Sequence, residues 1–200
     1  MPVTVTRVPQ EERTRAMRQR LLEATVELLN ERGFAGTSTT LVSERAGVSR
    51  GAQLHHFPTK NDLVFAAVEH LSRARADDLI AAAQTLPSGE GRTVAVLEML
   101  GDHFSSPVFT AALELWVAAR TDADLRAQVA PLEKRVGRQT HALTVELLGA
   151  DEAREGVREL IQATLDLVRG LGLANTLNND VRRRRKILAA WADVLEERLR

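Results

Sequence analysis

The sequence predicts an all-α protein, with an N-terminal three-helix head carrying a helix-turn-helix and a C-terminal helical body. Three observations predict it. Apolar residues recur at three- and four-residue steps through most of the 200 residues. The composition is 44% apolar but only 4% aromatic, dominated by Leu, Ala and Val, which favours helix over sheet. Residues 37–57 read TSTTLVSERAGVSRGAQLHHF, two short helices around a tight turn. The expected division is 1–60 for the head and 61–200 for the body.

Residues 1–10 contain Pro2 and Pro9 and no helical period, so a mobile arm is expected there, with Arg7 able to reach a phosphate. Residues 11–32 form the first helix on the stripe Met17, Leu21, Leu22, Ala24, Leu28 and Leu29, and Gly33 stops it. Ser38 or Thr39 caps the next helix, with Val42 and Ala46 facing one way. Gly47 supplies the left-handed residue that ends it, and Val48 plugs the turn. Ser49 caps a helix over 50–56, which stops where Pro58 forces Phe57 out of helical geometry. Phe34 is expected to pack with Val42, Val48 and Phe57.

Thr59 and Asp62 form a near capping box for a long helix over 60–84. LPSGEGR breaks it. Five helices follow, over 93–103, 107–120, 123–148, 151–173 and 180–199. Pro107 suits a first turn, and Asn178-Asn179-Asp180 makes a capped turn. The basic run 182–186 reads as a solvated face paired with Glu159 or Glu196.

In a helix-turn-helix the second helix enters the DNA major groove while the first crosses the backbone. Here that second helix bears Arg50, Gln53, His55 and His56, many polar groups for a plain core hairpin. Thr37, Ser38 and Ser49 can donate to phosphates. Arg50 can read guanine or hold a phosphate, and Gln53 can pair with adenine in two places. Gly51 lets the backbone approach closely. His55 and His56 suit phosphates at the far edge, and Lys60 lies in the next helix's first turn. Leu54 reads as packing, with a thymine-methyl contact as the alternative. Arg13, Arg15, Arg18 and Arg20 are a solvated face or phosphate contacts.

Net charge is zero, but residues 1–60 hold nine basic and six acidic residues, so the head carries +3 where phosphate attraction needs it. With no Cys, disulfides, thiolate metal sites and Cys nucleophiles are excluded. His55 and His56 are adjacent and diverge by about 100° on a helix, so they cannot share a metal. His70, His103 and His141 have no ligand spacing, and no phosphate-binding Gly loop appears. Neither an enzyme nor a cofactor or metal is expected. No apolar run reaches a membrane span's length and no apolar signal core opens the chain, so a cytoplasmic, membrane-free protein is expected.

AGVSRG followed by HHFPTKNDL, preceded by Gly33-Phe34 and Thr37-Ser38, resembles the signature of the tetracycline-repressor (TetR) family of bacterial transcription regulators. The resemblance covers about the first third of the chain. One position departs: the family usually has Leu-Tyr where this chain has Gln53-Leu54, and that Tyr commonly touches DNA, so its role does not carry over to Leu54. The pattern suggests that inward and outward roles are partly exchanged here. The resemblance implies a homodimer on a palindromic double-stranded DNA operator, joined through helices 151–173 and 180–199. Those helices present Val157, Leu160, Ile161, Leu165, Val168 and Leu171, and Ile187, Leu188, Trp191, Val194, Leu195 and Leu199, with Gly170 and Gly172 allowing close approach.

The resemblance also implies a small-molecule effector that releases DNA from a pocket in the body. Met99, His103, Phe104, Phe109, Leu113 and Trp116 gather much of the body's aromatic content, and suit an apolar or amphipathic ligand. The competing reading of these six is plain core. Two other functions compete with a dimeric regulator expected to repress: a DNA-acting enzyme such as a recombinase, disfavoured by the lack of a catalytic cluster, and a helical interaction module whose head no longer binds DNA, disfavoured by Arg50, Gln53, His55 and His56.

Overall fold

A computed structural model describes residues 10–199. Among them are nine α-helices and no strand. The chain divides into two compact units, one ending at Leu71 and the other beginning at Ser72.

The first unit holds α1 (Gln10–Gly36), α2 (Thr39–Ala46), α3 (Arg50–His56) and the first half of α4 (Lys60–Ala83). Residues 1–9 and the arm expected there, Arg7 included, lie outside the described residues; Gln10 already begins α1. Gly33 interrupts α1 with φ 66° and ψ 177°, the break that its missing Cβ makes accessible. Leu21, Leu22, Leu28, Leu29, Val42, Phe57, Leu63 and Val64 are at most 3% exposed and form the core. Arg45 of α2 clamps α1 with Nη2 2.8 Å from Glu31 Oε2 and Nη1 3.2 Å from Glu27 Oε2. That hydrogen bond to Arg45 holds the Glu31 carboxyl below the usual carboxylate range, offset in part by desolvation.

The second unit holds the rest of α4, α5 (Arg92–His103), α6 (Pro107–Ala119), α7 (Ala123–Leu148), α8 (Val157–Asn175) and α9 (Val181–Leu199). Local signals set the ends: Ser106 Oγ accepts from Phe109 N ahead of Pro107, Asp122 Oδ1 accepts from Leu125 N, and Gly149 closes α7 at φ 60°. The expected start of α8 at 151 is wrong by six residues. Residues 151–156 form a turn, because Gly156 adopts φ 80° and the helix begins only after it.

α5 packs on α7, α8 and α9. Two glycines permit this. A Cβ at Gly101 would stand 2.9 Å from Leu188 Cδ1, and one at Gly172 would stand 2.0 Å from the Phe104 carbonyl oxygen. The close approach expected from Gly172 therefore occurs within the chain, whereas Gly170 is exposed with nothing within 4 Å of a Cβ. The basic run 182–186 pairs differently from expectation. Arg184, 9% exposed, reaches Asp102 at 2.8 Å, and Arg185 reaches Glu98 at 3.5 Å. The acids of α5 win because α9 packs on that helix.

Candidate nucleic-acid interface

The two short helices of the head are shaped by their caps. Ser38 Oγ accepts from Leu41 N at 3.2 Å, opening α2. Gly47 at φ 62° closes it, with its amide on the carbonyls of Glu44 and Ser43. Ser49 then opens α3 by accepting from Ala52 N at 3.3 Å. Each serine hydroxyl keeps its own proton free to donate outward. Thr59 and Asp62 complete a reciprocal box at the start of α4: Thr59 N donates to Asp62 Oδ2 at 3.2 Å and Asp62 N to Thr59 Oγ1 at 3.0 Å. These are local bonds between residues three apart, so the helix-turn-helix backbone is encoded in its own segment.

The outer face of α3 carries Ser49, Arg50, Gly51, Leu54 and His55, all exposed, with His56 half-buried beside it. The two imidazoles meet edge to face at 5.3 Å. No ion pair among the described residues engages Arg50, which leaves its guanidinium available for a phosphate or a guanine edge. A Cβ at Gly51 would meet nothing within 4 Å, so its backbone lies open. Arg18 of α1 stands over the Phe57 ring at 5.2 Å, bracing the far end of α3.

Three expected contacts take other places. Gln53 is fully buried, its Nε2 donating to the Phe57 carbonyl oxygen at 2.7 Å and its Oε1 without a partner. It cannot pair with adenine from there. The expected exchange of inward and outward roles does not occur either: the polar side chain faces in and Leu54, 42% exposed, faces out. Thr37 is 2% exposed, and its hydroxyl donates to the Gly33 carbonyl oxygen at 2.8 Å. That bond tethers the linker before α2 and uses the proton a phosphate would have taken. Lys60 Nζ donates to the Phe34 carbonyl oxygen and lies 4.1 Å from the Phe34 ring centroid. Burial holds the Lys60 ammonium below its ordinary value, so this cation braces the head.

In the body, Met99, His103, Phe104, Phe109, Leu113 and Trp116 do come together. His103, Phe104, Phe109 and Trp116 form a ladder of edge-to-face contacts at 5.2, 5.2 and 6.0 Å. Phe104 and Phe109 are 6% and 7% exposed; Met99, Leu113 and Trp116 pack against the same core. Burial, reinforced by Arg75, lowers the His103 pKa and favours the neutral ring. The Arg169 guanidinium stands 5.7 Å from the Phe104 centroid. Among the described residues, no three His, Cys, Asp or Glu side chains are grouped to hold a metal ion, and no helix is long and apolar enough to cross a membrane.

Residues 21–67, the segment holding these caps and α3, match the family profile of bacterial regulatory proteins, tetR family. The chain is 29% identical over 193 residues to the HTH-type transcriptional regulator CymR of Pseudomonas putida, covering 94% of each. Residues 21–67 are therefore a helix-turn-helix segment of the tetR type. This TetR-type protein is a transcriptional regulator and not an enzyme. A crystal structure of a transcriptional regulator from Pseudomonas aeruginosa PAO1 superposes on it with a TM-score of 0.73 at 26% identity, covering 99% of both chains. A regulator from Saccharomonospora viridis, solved in complex with choline, has the same fold, with a TM-score of 0.71, 18% identity and 92% and 97% coverage. The sequence favoured packing over a thymine-methyl contact for Leu54, which stands on the outer face, and left the Arg45 clamp and the Arg18 brace unread. The signal for Leu54 was present: at positions 53 and 54 the family pattern already runs inward, then outward.

Proposed function

We propose that this TetR-type regulator is a cytoplasmic, dimeric repressor that binds a near-palindromic operator through α3 and leaves it when a small organic effector occupies the body. The observation that carries the DNA part is the outer face of α3. Arg50 and His55 stand exposed beside an open Gly51 backbone, on a helix whose ends are set by local caps. Ser38 and Ser49 add hydroxyl donors at the helix starts, where backbone amides also favour phosphate. Head residues 1–60 and body residues 61–200 remain the functional division.

Support for dimerisation comes from α8 and α9. Leu165 is 2% exposed and belongs to the subunit's own core, but Val194 and Leu173 are 39% and 56% exposed, and Ile187 and Trp191 are half-buried. Such an apolar outer surface suits a two-fold partner. Support for an effector comes from the aromatic ladder and from the choline complex of the S. viridis regulator. The effector must favour the DNA-incompetent state, since equal affinity for both states shifts nothing. An interaction module with a purely structural head is the reading this one displaces.

A mobility-shift assay on DNA flanking the protein's own gene tests the proposal. The expected result is a specific complex whose log affinity falls with log salt by about 0.9 per phosphate contact. A flat salt dependence, or no complex, defeats the DNA-binding reading. Sedimentation tests the dimer: the wild-type protein sediments as a dimer at micromolar concentration and Val194→Glu as a monomer with weakened DNA binding.

A further inference from the structure

Among the described residues up to Leu71, Leu54 is the only exposed large hydrophobic side chain. It sits on α3, between Arg50 and His55 on the face the fold leaves open. Its orientation is pinned from behind. Gln53 and Phe57, 0% and 3% exposed, both face the core, and rotating α3 to hide Leu54 would pull them out of it. Gly51 lies one turn earlier with open space where a Cβ would be. Helical side chains lean toward the N-terminus, so Leu54 stands over the bare backbone of Gly51 and makes a shallow apolar notch. Base edges in the major groove present hydrogen-bonding groups at every pair, and one apolar group, the C5 methyl of thymine. A leucine that carries no donor or acceptor can gain there only from that methyl.

We infer that Leu54 is a specificity-determining residue that reads a thymine methyl group in each half of the bound DNA. This rests on the DNA-binding reading above and adds a chemical identity for one base pair. It also assigns a role to the position where this chain departs from the family's aromatic residue. The methyl, rather than the pairing edge, is the feature recognised, so 5-methylcytosine offers the same group on a different base.

The test begins with the full-length protein selecting sites from random-sequence duplexes. Each thymine of the selected site is then replaced singly by deoxyuridine. One thymine per half-site should lose about fourfold in affinity, the worth of one buried methyl-sized group. At that position a 5-methylcytosine–guanine pair should bind more tightly than cytosine–guanine by a similar factor. Leu54→Ser, at an exposed position, should erase both effects and leave the melting midpoint unchanged. Deoxyuridine tolerated at every position, or methyl sensitivity that survives in Leu54→Ser, overturns the inference while leaving DNA binding intact. Selection of no DNA at all overturns the DNA-binding reading with it.

Discussion

The outer face of α3 and the aromatic ladder of the body are built on opposite plans. In the head, the candidate contact groups point outward from a backbone set by caps and a left-handed glycine, so the surface stands ready without rearrangement. In the body, the candidate ligand residues are satisfied by one another, edge to face, with Phe104 and Phe109 nearly sealed. A binding surface that must search DNA gains from being preorganised. A site that must report a ligand gains from having two packings of similar energy. The contrast teaches that a change on the outer face of α3 should act on binding with stability spared, whereas a change in the aromatic ladder should act on stability first.

The largest expected effect is in the body. Gly172→Ala places a Cβ against a backbone oxygen that cannot swing aside and should destabilise the protein by about 3 kcal/mol. Gly170→Ala, in open space on the same helix, should instead stabilise by about 0.5–1 kcal/mol through helix propensity. Denaturant melts of the two variants decide it; equal effects would mean that the α5–α8 approach is not held as described.

Gln53→Ala sharpens the contrast inside the head. It empties a buried site and removes the bond to the Phe57 carbonyl, costing about 2 kcal/mol of stability. Base preference on selected DNA should not change, and a relaxed preference would return Gln53 to the groove. Arg50→Ala is the complement: about 1–3 kcal/mol lost from DNA binding with an unaltered melt.

The smallest effect is a pH dependence in the body. The folded His103 pKa is lowered, mainly by desolvation and then by Arg75, so the unfolded chain binds the proton better. The stability linked to His103 is therefore complete above its unfolded pKa, about 6.5, and declines as pH falls through that value. His103→Asn should flatten the loss between about pH 7 and 5 relative to wild type, read from melts across that window. An unchanged slope would show that His103 titrates as freely folded as unfolded.

Nearly every helix boundary was legible in the sequence, and so were the helix-turn-helix and its family. Ser38, Gly47, Ser49, Thr59 with Asp62, Ser106, Asp122 and Gly149 each act through bonds within four residues, and residue identity alone decides such bonds. The start of α8 escaped because Gly156 offers no capping side chain to announce it. The tertiary structure decided which way side chains point and whom they meet. A seven-residue helix makes barely two turns, too few to fix its rotation by periodicity, so Gln53 went inward and Leu54 outward only once α3 had docked on the core around Val42 and Phe57. Lys60 met Phe34, and Arg184 met Asp102, across 26 and 82 residues of sequence. Such partners lie far apart in the chain, and only the packed fold brings each cation within reach of the carbonyl, ring or carboxylate it meets.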